Sequence, residues 1–88
     1  MTIALDAPYA IDPQVAIRPE PFGALCYHYG NRRLTFLKSR DMVRVVEALA
    51  EHPSAADALR ACGIAEAAWL SYANALGSLQ ASEVIRER

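Results

Sequence analysis

The chain contains no run of apolar residues approaching the roughly 18 that a membrane span requires, so no transmembrane segment is expected in its 88 residues. Charge of one dominant sign is also missing. Nine Lys and Arg stand against ten Asp and Glu, a formal net charge of -1, and no global field draws the chain to nucleic acid or an anionic bilayer. Cysteine is scarce: Cys26 and Cys62 give neither a disulfide framework nor paired zinc-ligand spacing. The first residues, Met-Thr-Ile-Ala-Leu-Asp-Ala, carry an acid where a signal peptide has basic residues, and their apolar run is too short for one. A reducing, cytoplasmic location is expected. Internal repeats and low-complexity tracts are absent too. A core this small does not divide into two stable units, so the expectation is an arm over residues 1–12 and a single domain over 13–88.

What is present begins with a hairpin pattern over residues 22–37, Phe-Gly-Ala-Leu-Cys-Tyr-His-Tyr-Gly-Asn-Arg-Arg-Leu-Thr-Phe-Leu. A two-residue Gly30-Asn31 loop accepts positive φ and suits the strand twist. Counting outward pairs Tyr29 with Arg32, His28 with Arg33, Tyr27 with Leu34, Cys26 with Thr35 and Leu25 with Phe36. Strand alternation then puts Leu25, Tyr27, Leu34 and Phe36 on one face and the mostly polar Cys26, His28, Arg33 and Thr35 on the other. Val15 to Ile17 predict a preceding strand, ended where Pro19 and Pro21 bracket Glu20. Three sequential strands with short links favour an antiparallel meander, which leaves the strand over 32–37 at an edge.

The period changes at Ser39, an N-cap for a helix carrying Met42, Val45, Val46 and Leu49. Ser54 caps a second helix, with Asp57 in the place of the capping-box Glu, and Gly63 suits its C′ position. A third helix is expected from about Ala65 to Leu79, its apolar residues covering more than one stripe. Val84 and Ile85 dock on the core, and Arg86-Glu87-Arg88 is read as a solvated tail. The fold class is therefore α+β, winged helix-turn-helix-like: a three-stranded antiparallel sheet followed by three helices.

That arrangement invites a DNA-binding transcriptional regulator. However, the third helix, Glu66 to Gln80, contains no Lys or Arg, and phosphate neutralisation supplies most non-specific affinity. Five of the nine basic residues instead lie between positions 32 and 44: Arg32, Arg33, Lys38, Arg40 and Arg44. Charges there guard an edge strand against self-pairing and can equally receive an acidic partner. A metal site is not expected, because Cys26 and His28 are two ligands and do not close a zinc site. Nor is an enzyme: Cys26 and His28 have Cβ atoms about 7 Å apart on one strand, with no orienting carboxylate. Cys26 and Cys62 are read as small apolar residues, Cys62 in the core. Phe22, Phe36 and Trp69 are expected in the core before a binding surface.

The run Ile17-Arg-Pro-Glu-Pro-Phe-Gly-Ala-Leu-Cys-Tyr-His-Tyr-Gly-Asn-Arg-Arg-Leu-Thr-Phe-Leu37 resembles the mycofactocin biosynthesis chaperone family. The likeness is sharpest in Arg18-Pro19-Glu20-Pro21-Phe22-Gly23 and in Arg33-Leu34 with Phe36-Leu37, and extends more loosely through the helices. These small recognition elements of ribosomally made, post-translationally modified peptides are similar to the peptide chaperone of pyrroloquinoline quinone synthesis. The resemblance implies that the leader of a precursor peptide adds as a strand to the third strand of the sheet, beside the third helix. It also implies presentation of that precursor to a radical S-adenosylmethionine maturase. Iron–sulfur clusters and S-adenosylmethionine would belong to that partner, and no cofactor to this chain.

The leader-binding residues expected on this basis are Arg32, Arg33, Leu34, Thr35, Phe36 and Leu37 along the edge, with Trp69, Tyr72, Ala73 and Leu76 on the third helix. Leu34 or Phe36 would floor the cleft and the helix residues would wall it. Arg32, Arg33 and Lys38 would favour acidic leader residues. Replacing Thr35 by Pro is expected to remove a ladder donor and weaken leader binding. A subunit with a purely structural role would instead bind the maturase and not the isolated leader.

Overall fold

The structure, a computed structural model, describes residues 2–88. Strands β2 (Val15–Glu20), β3 (Gly23–His28) and β4 (Leu34–Leu37) form an antiparallel sheet in that order. Helices α1 (Arg40–Ala48), α2 (Ala55–Ala61) and α3 (Trp69–Ala81) follow. A second, two-stranded sheet joins β1 (Tyr9–Ile11) to β5 (Ile85–Glu87). The fold is thus α+β, with a three-stranded sheet and three helices compatible with a winged helix-turn-helix.

The β3–β4 register is the one counted from the sequence: Tyr27 opposite Leu34, Cys26 opposite Thr35, Leu25 opposite Phe36. The turn differs. Residues 29–32 form a four-residue loop, with Arg32 at φ 63° in place of positive φ at Gly30 or Asn31. His28 N–H donates to the Arg33 carbonyl at 3.0 Å, and Arg32 N–H donates to the His28 carbonyl at 2.8 Å. The buried His28 ring decides this shape. Its Nδ1 accepts from Gly30 N–H at 3.0 Å and Asn31 N–H at 3.1 Å, pulling the loop over itself.

The hairpin's faces are also the reverse of what apolarity suggests. Ala24, Cys26 and His28 of β3 and Leu37 of β4 are buried under the helices, whereas Leu34 and Phe36 are mostly exposed. Small Ala24 and Cys26 let the helical layer approach closely. The loop satisfies His28 Nδ1, while the buried Nε2 has no hydrogen-bond partner and lies 3.8 Å from Asp12 Oδ1. Phe22 and Phe36, expected in the core, stand outside it. Cys26 is buried as an apolar residue, but Cys62 is only half-buried at the end of α2.

β2 runs through Pro19 to Glu20 and does not stop at the first proline. Pro19 pairs with Ala24, and as β2 is an edge strand, a residue there without an N–H is tolerated where that group would face solvent. At the other end of the chain, the expected tail is β5, antiparallel to β1. Val84 and Ile85 are buried as expected. The Arg88 guanidinium donates to the carbonyls of Ala50 and His52, closing the end of the 3₁₀ turn Leu49–Glu51.

The caps follow the sequence. Ser39 Oγ accepts from Met42 N–H at 3.0 Å and Ser54 Oγ from Asp57 N–H at 3.1 Å. Asp57 completes the second cap by accepting from the Ser54 hydroxyl at 3.0 Å. Two other α2 donors, Ala55 N–H and Ala56 N–H, reach the carbonyls of Ala7 and Leu5. Residues 2–12 also place Ile3 and Tyr9 in the core, with Ile3 N–H donating to the Ala73 carbonyl at 3.2 Å. Helix α2 ends as expected at Gly63, φ 76°. α3 begins later than expected, after a 3₁₀ turn over Glu66–Ala68, and ends at Glu83, φ 64°. Both helix ends carry the paired bonds of a Schellman motif: Ile64 N–H to Leu59 with Gly63 N–H to Arg60, and Val84 N–H to Leu79 with Glu83 N–H to Gln80.

Candidate functional site

β4 has one partner, β3, and its other side is an open edge. The bond from His28 N–H to the Arg33 carbonyl fixes the phase of the ladder. Since antiparallel neighbours alternate, Thr35 and Leu37 direct their backbone groups into β3, opposite Cys26 and Ala24. Leu34 and Phe36 direct theirs outward, and neither forms another backbone bond among the described residues. The donors offered at the edge therefore belong to Leu34 and Phe36. Thr35 N–H belongs to the β3–β4 ladder, so a proline there would act on leader binding through the hairpin and not by removing a donor at the open edge.

Beside this edge lies a groove of about 320 Å³ between β4 and α3. Thr35, Phe36, Leu37 and Lys38 form one side, Ala75, Ser78, Leu79 and Ser82 the other, and Met42 of α1 contributes as well. The α3 residues recur at i, i+3, i+4 and i+7, a single stripe of the helix, and three of the four are small. That leaves space above Leu79 and Leu37, which are buried and form the floor. Near one end, Asn31 Nδ2 donates to Glu83 Oε2 at 3.2 Å, tying the hairpin loop to the turn after α3.

The residues expected to bind a leader are divided by this geometry. Leu34 to Leu37 lie on the edge strand, and Thr35, Phe36 and Leu37 also line the groove. Arg32 and Arg33 are exposed in and just after the loop. Ala73 and Leu76 are core residues. Trp69 sits at the start of α3, donating from Nε1 to the Ile64 carbonyl at 2.9 Å, with the Arg60 guanidinium 5.3 Å from its ring centroid. Tyr72 lies one turn N-terminal to Ala75. Burial pushes its phenol up, Asp41 and Cys62 add to this, and Arg44 opposes it, so the hydroxyl stays neutral. Neither ring lines the groove. The sequence reading did not select Met42, Ala75, Ser78, Leu79 or Ser82. The available signal was the stripe of small residues at helical spacing on α3, which apolarity alone overlooks.

Chemically the groove can hold apolar side chains and little else. Lys38 is its one charged lining residue, and Thr35 and two serines supply hydroxyls. Burial also pushes the Cys26 thiol up, away from the reactive thiolate. Among the described residues, no group of three or more His, Cys, Asp or Glu could hold a metal ion. No helix among them is long and apolar enough to cross a membrane.

A family model described as the peptide chaperone MftB family matches residues 8–86. The chain belongs to that family. Relatives named peptide chaperone MftB agree across most of the sequence. The protein from Mycolicibacterium smegmatis is 48% identical over 85 residues, covering 97% of this chain and 83% of its own. That from Mycobacterium ulcerans is 45% identical over 80 residues, with 91% and 73% covered. That from Mycobacterium tuberculosis is 43% identical over 83 residues, with 94% and 76% covered. No solved structure gives a significant match. Membership of the MftB family makes the protein a peptide chaperone, a non-catalytic role in mycofactocin biosynthesis.

Proposed function

We propose that the chain binds the leader of a ribosomal precursor peptide by strand addition to β4. It then presents that precursor to a radical S-adenosylmethionine maturase in the cytoplasm. The observation that carries this reading is the open edge of Leu34 and Phe36 lying directly over an apolar groove. An extended peptide pairs with such an edge through its backbone, and alternate side chains enter the groove.

Magnitudes set what each part must supply. About four main-chain hydrogen bonds at a net ~0.5–1.5 kcal/mol each fall short of the roughly 8 kcal/mol that micromolar binding requires. Apolar anchors at ~1.5–3 kcal/mol per buried side chain make up the difference. The groove volume suits one or two such anchors two residues apart, facing Leu37 and Leu79. Arg32, Arg33 and Lys38 would steer acidic leader residues toward the edge. Trp69, Tyr72, Ala73 and Leu76 would act through the position of α3. The iron–sulfur clusters and S-adenosylmethionine are assigned to the maturase.

Calorimetric titration of the isolated chain with its precursor peptide tests the proposal. Saturable one-to-one binding that is lost when the leader is removed is the expected result. Binding to duplex DNA with a steep salt dependence, and none to the peptide, would instead favour a transcriptional regulator.

A further inference from the structure

The outward face of the three-stranded sheet is apolar over β3 and β4, where an exposed face is usually polar, and only β2 carries charge there, the ion-paired Arg18 and Glu20. It carries Leu25 and Tyr27 of β3 beside Leu34 and Phe36 of β4. Flanking residues enlarge it: the Phe22 ring lies 6.0 Å from that of Phe36, and Tyr29 meets Tyr27 edge to face at 5.0 Å. Phe22, Tyr29, Leu34 and Phe36 are between 46% and 65% exposed. The helices pack on the opposite side, against Ala24, Cys26 and Leu37, so the fold does not use this patch. Arg32 and Lys38 border it at the two ends of β4, Arg33 lies on the side of His28 and Thr35, and none of the three has a carboxylate partner among the described residues.

We propose that this face is the surface on which the enzyme that modifies the peptide docks, through an apolar patch of its own bordered by carboxylates. Tyr, Phe and Arg are the residue types that carry binding energy at protein interfaces. The unpaired cations argue against a second copy, because a two-fold contact would set them against themselves. The net charge of -1 gives no general attraction to an anionic bilayer.

The proposal rests on the strand-addition reading in one respect, the effect of loading. Three strands about 4.8 Å apart and four to six residues long present roughly 250 Å². A stable interface uses about 800 Å² per partner. The bare face therefore makes a weak contact, and a peptide paired with β4 widens it by about a third while adding its own outward side chains. The enzyme would thus bind the loaded chaperone more tightly than the empty one.

The test uses the double variant Phe22→Ser, Tyr29→Ser, since neither residue lines the groove. Calorimetry against the leader peptide and, separately, against the purified radical S-adenosylmethionine enzyme reads the two surfaces independently. The expected result is leader affinity within about twofold of wild type and enzyme affinity lower by at least about tenfold. Wild-type chain saturated with leader should also bind the enzyme several-fold more tightly than free chain. Should the double variant fail to fold, Tyr29→Ser alone is read in the same way. Enzyme affinity unchanged in the variant overturns the proposal, as does an enzyme that binds the wild type neither free nor loaded. Wild-type chain that ignores the leader sinks strand addition, while the enzyme titration of free chain still decides the docking face. Co-sedimentation with phosphatidylglycerol vesicles, or dimerisation on a sizing column, that the variant abolishes would assign the face to a bilayer or a second copy and overturn the proposal.

Discussion

Gly23 and Leu37 approach so closely at the end of the β3–β4 ladder that a Cβ on Gly23 would stand 2.1 Å from the Leu37 carbonyl oxygen. The obstacle is backbone, so no rotamer change relieves it. Gly23→Ala must displace β4, the strand that bears the open edge. Overpacking of this kind costs about 1–3 kcal/mol. Chemical denaturation of the variant is expected to show that loss, and leader affinity is expected to fall with it.

Alternation along β4 gives neighbouring residues opposite predictions. Phe36→Pro removes a donor that faces out from the sheet, so the fold should survive while leader binding weakens. Phe36→Ala controls for the lost ring. The proline variant should bind about 3- to 10-fold more weakly than the alanine variant, the worth of one hydrogen bond. Thr35→Pro removes a donor to β3 and should destabilise the protein by about 1–3 kcal/mol, the cost of leaving its buried acceptor unpaired. Equal leader affinity for the proline and alanine variants at position 36, measured by calorimetry, would reject strand addition at this edge.

The groove can be filled without touching the core. Ser78 is exposed on the α3 stripe, and its hydroxyl makes only a 3.4 Å contact with the Asn74 carbonyl. Ser78→Trp should occupy the space intended for a leader side chain and remove at least one anchor, about 1.5–3 kcal/mol of binding. The thermal midpoint should stay near that of wild type. Retained affinity would mean that the peptide does not lie between β4 and α3.

His28 holds the hairpin loop from within. His28→Leu would leave Gly30 N–H and Asn31 N–H without their acceptor, at a cost of about 1–3 kcal/mol for each group that stays buried and unpaired. Faster amide exchange at Gly30, Asn31 and Arg32 than at Val45 and Val46 should report a loosened loop on an intact core. Uniform protection in the variant would assign the loop's shape to Arg32 and Asn31 instead.

The strand register, the Ser39 and Ser54 caps, the turn at Gly63 and the open edge were legible in the chain, because each depends on neighbours a few residues away. So was family membership, carried by the motif around Arg18–Gly23 and Arg33–Leu37. Which side of the hairpin meets the helices was not legible. Alternation separates Leu25, Tyr27, Leu34 and Phe36 from Ala24, Cys26 and Leu37, and apolarity alone favours burying the first set. The folded chain buries the smaller set, since helices approach a sheet more closely over Ala and Cys, and a loop wrapped on His28 satisfies its Nδ1, leaving only Nε2 unpaired. The groove escaped the sequence for a related reason: Ala75, Ser78 and Ser82 matter by leaving volume unfilled opposite β4. Local hydrogen bonding and periodicity are written in adjacent residues; which surfaces meet, and where space remains between them, is settled only when distant elements compete for the same core.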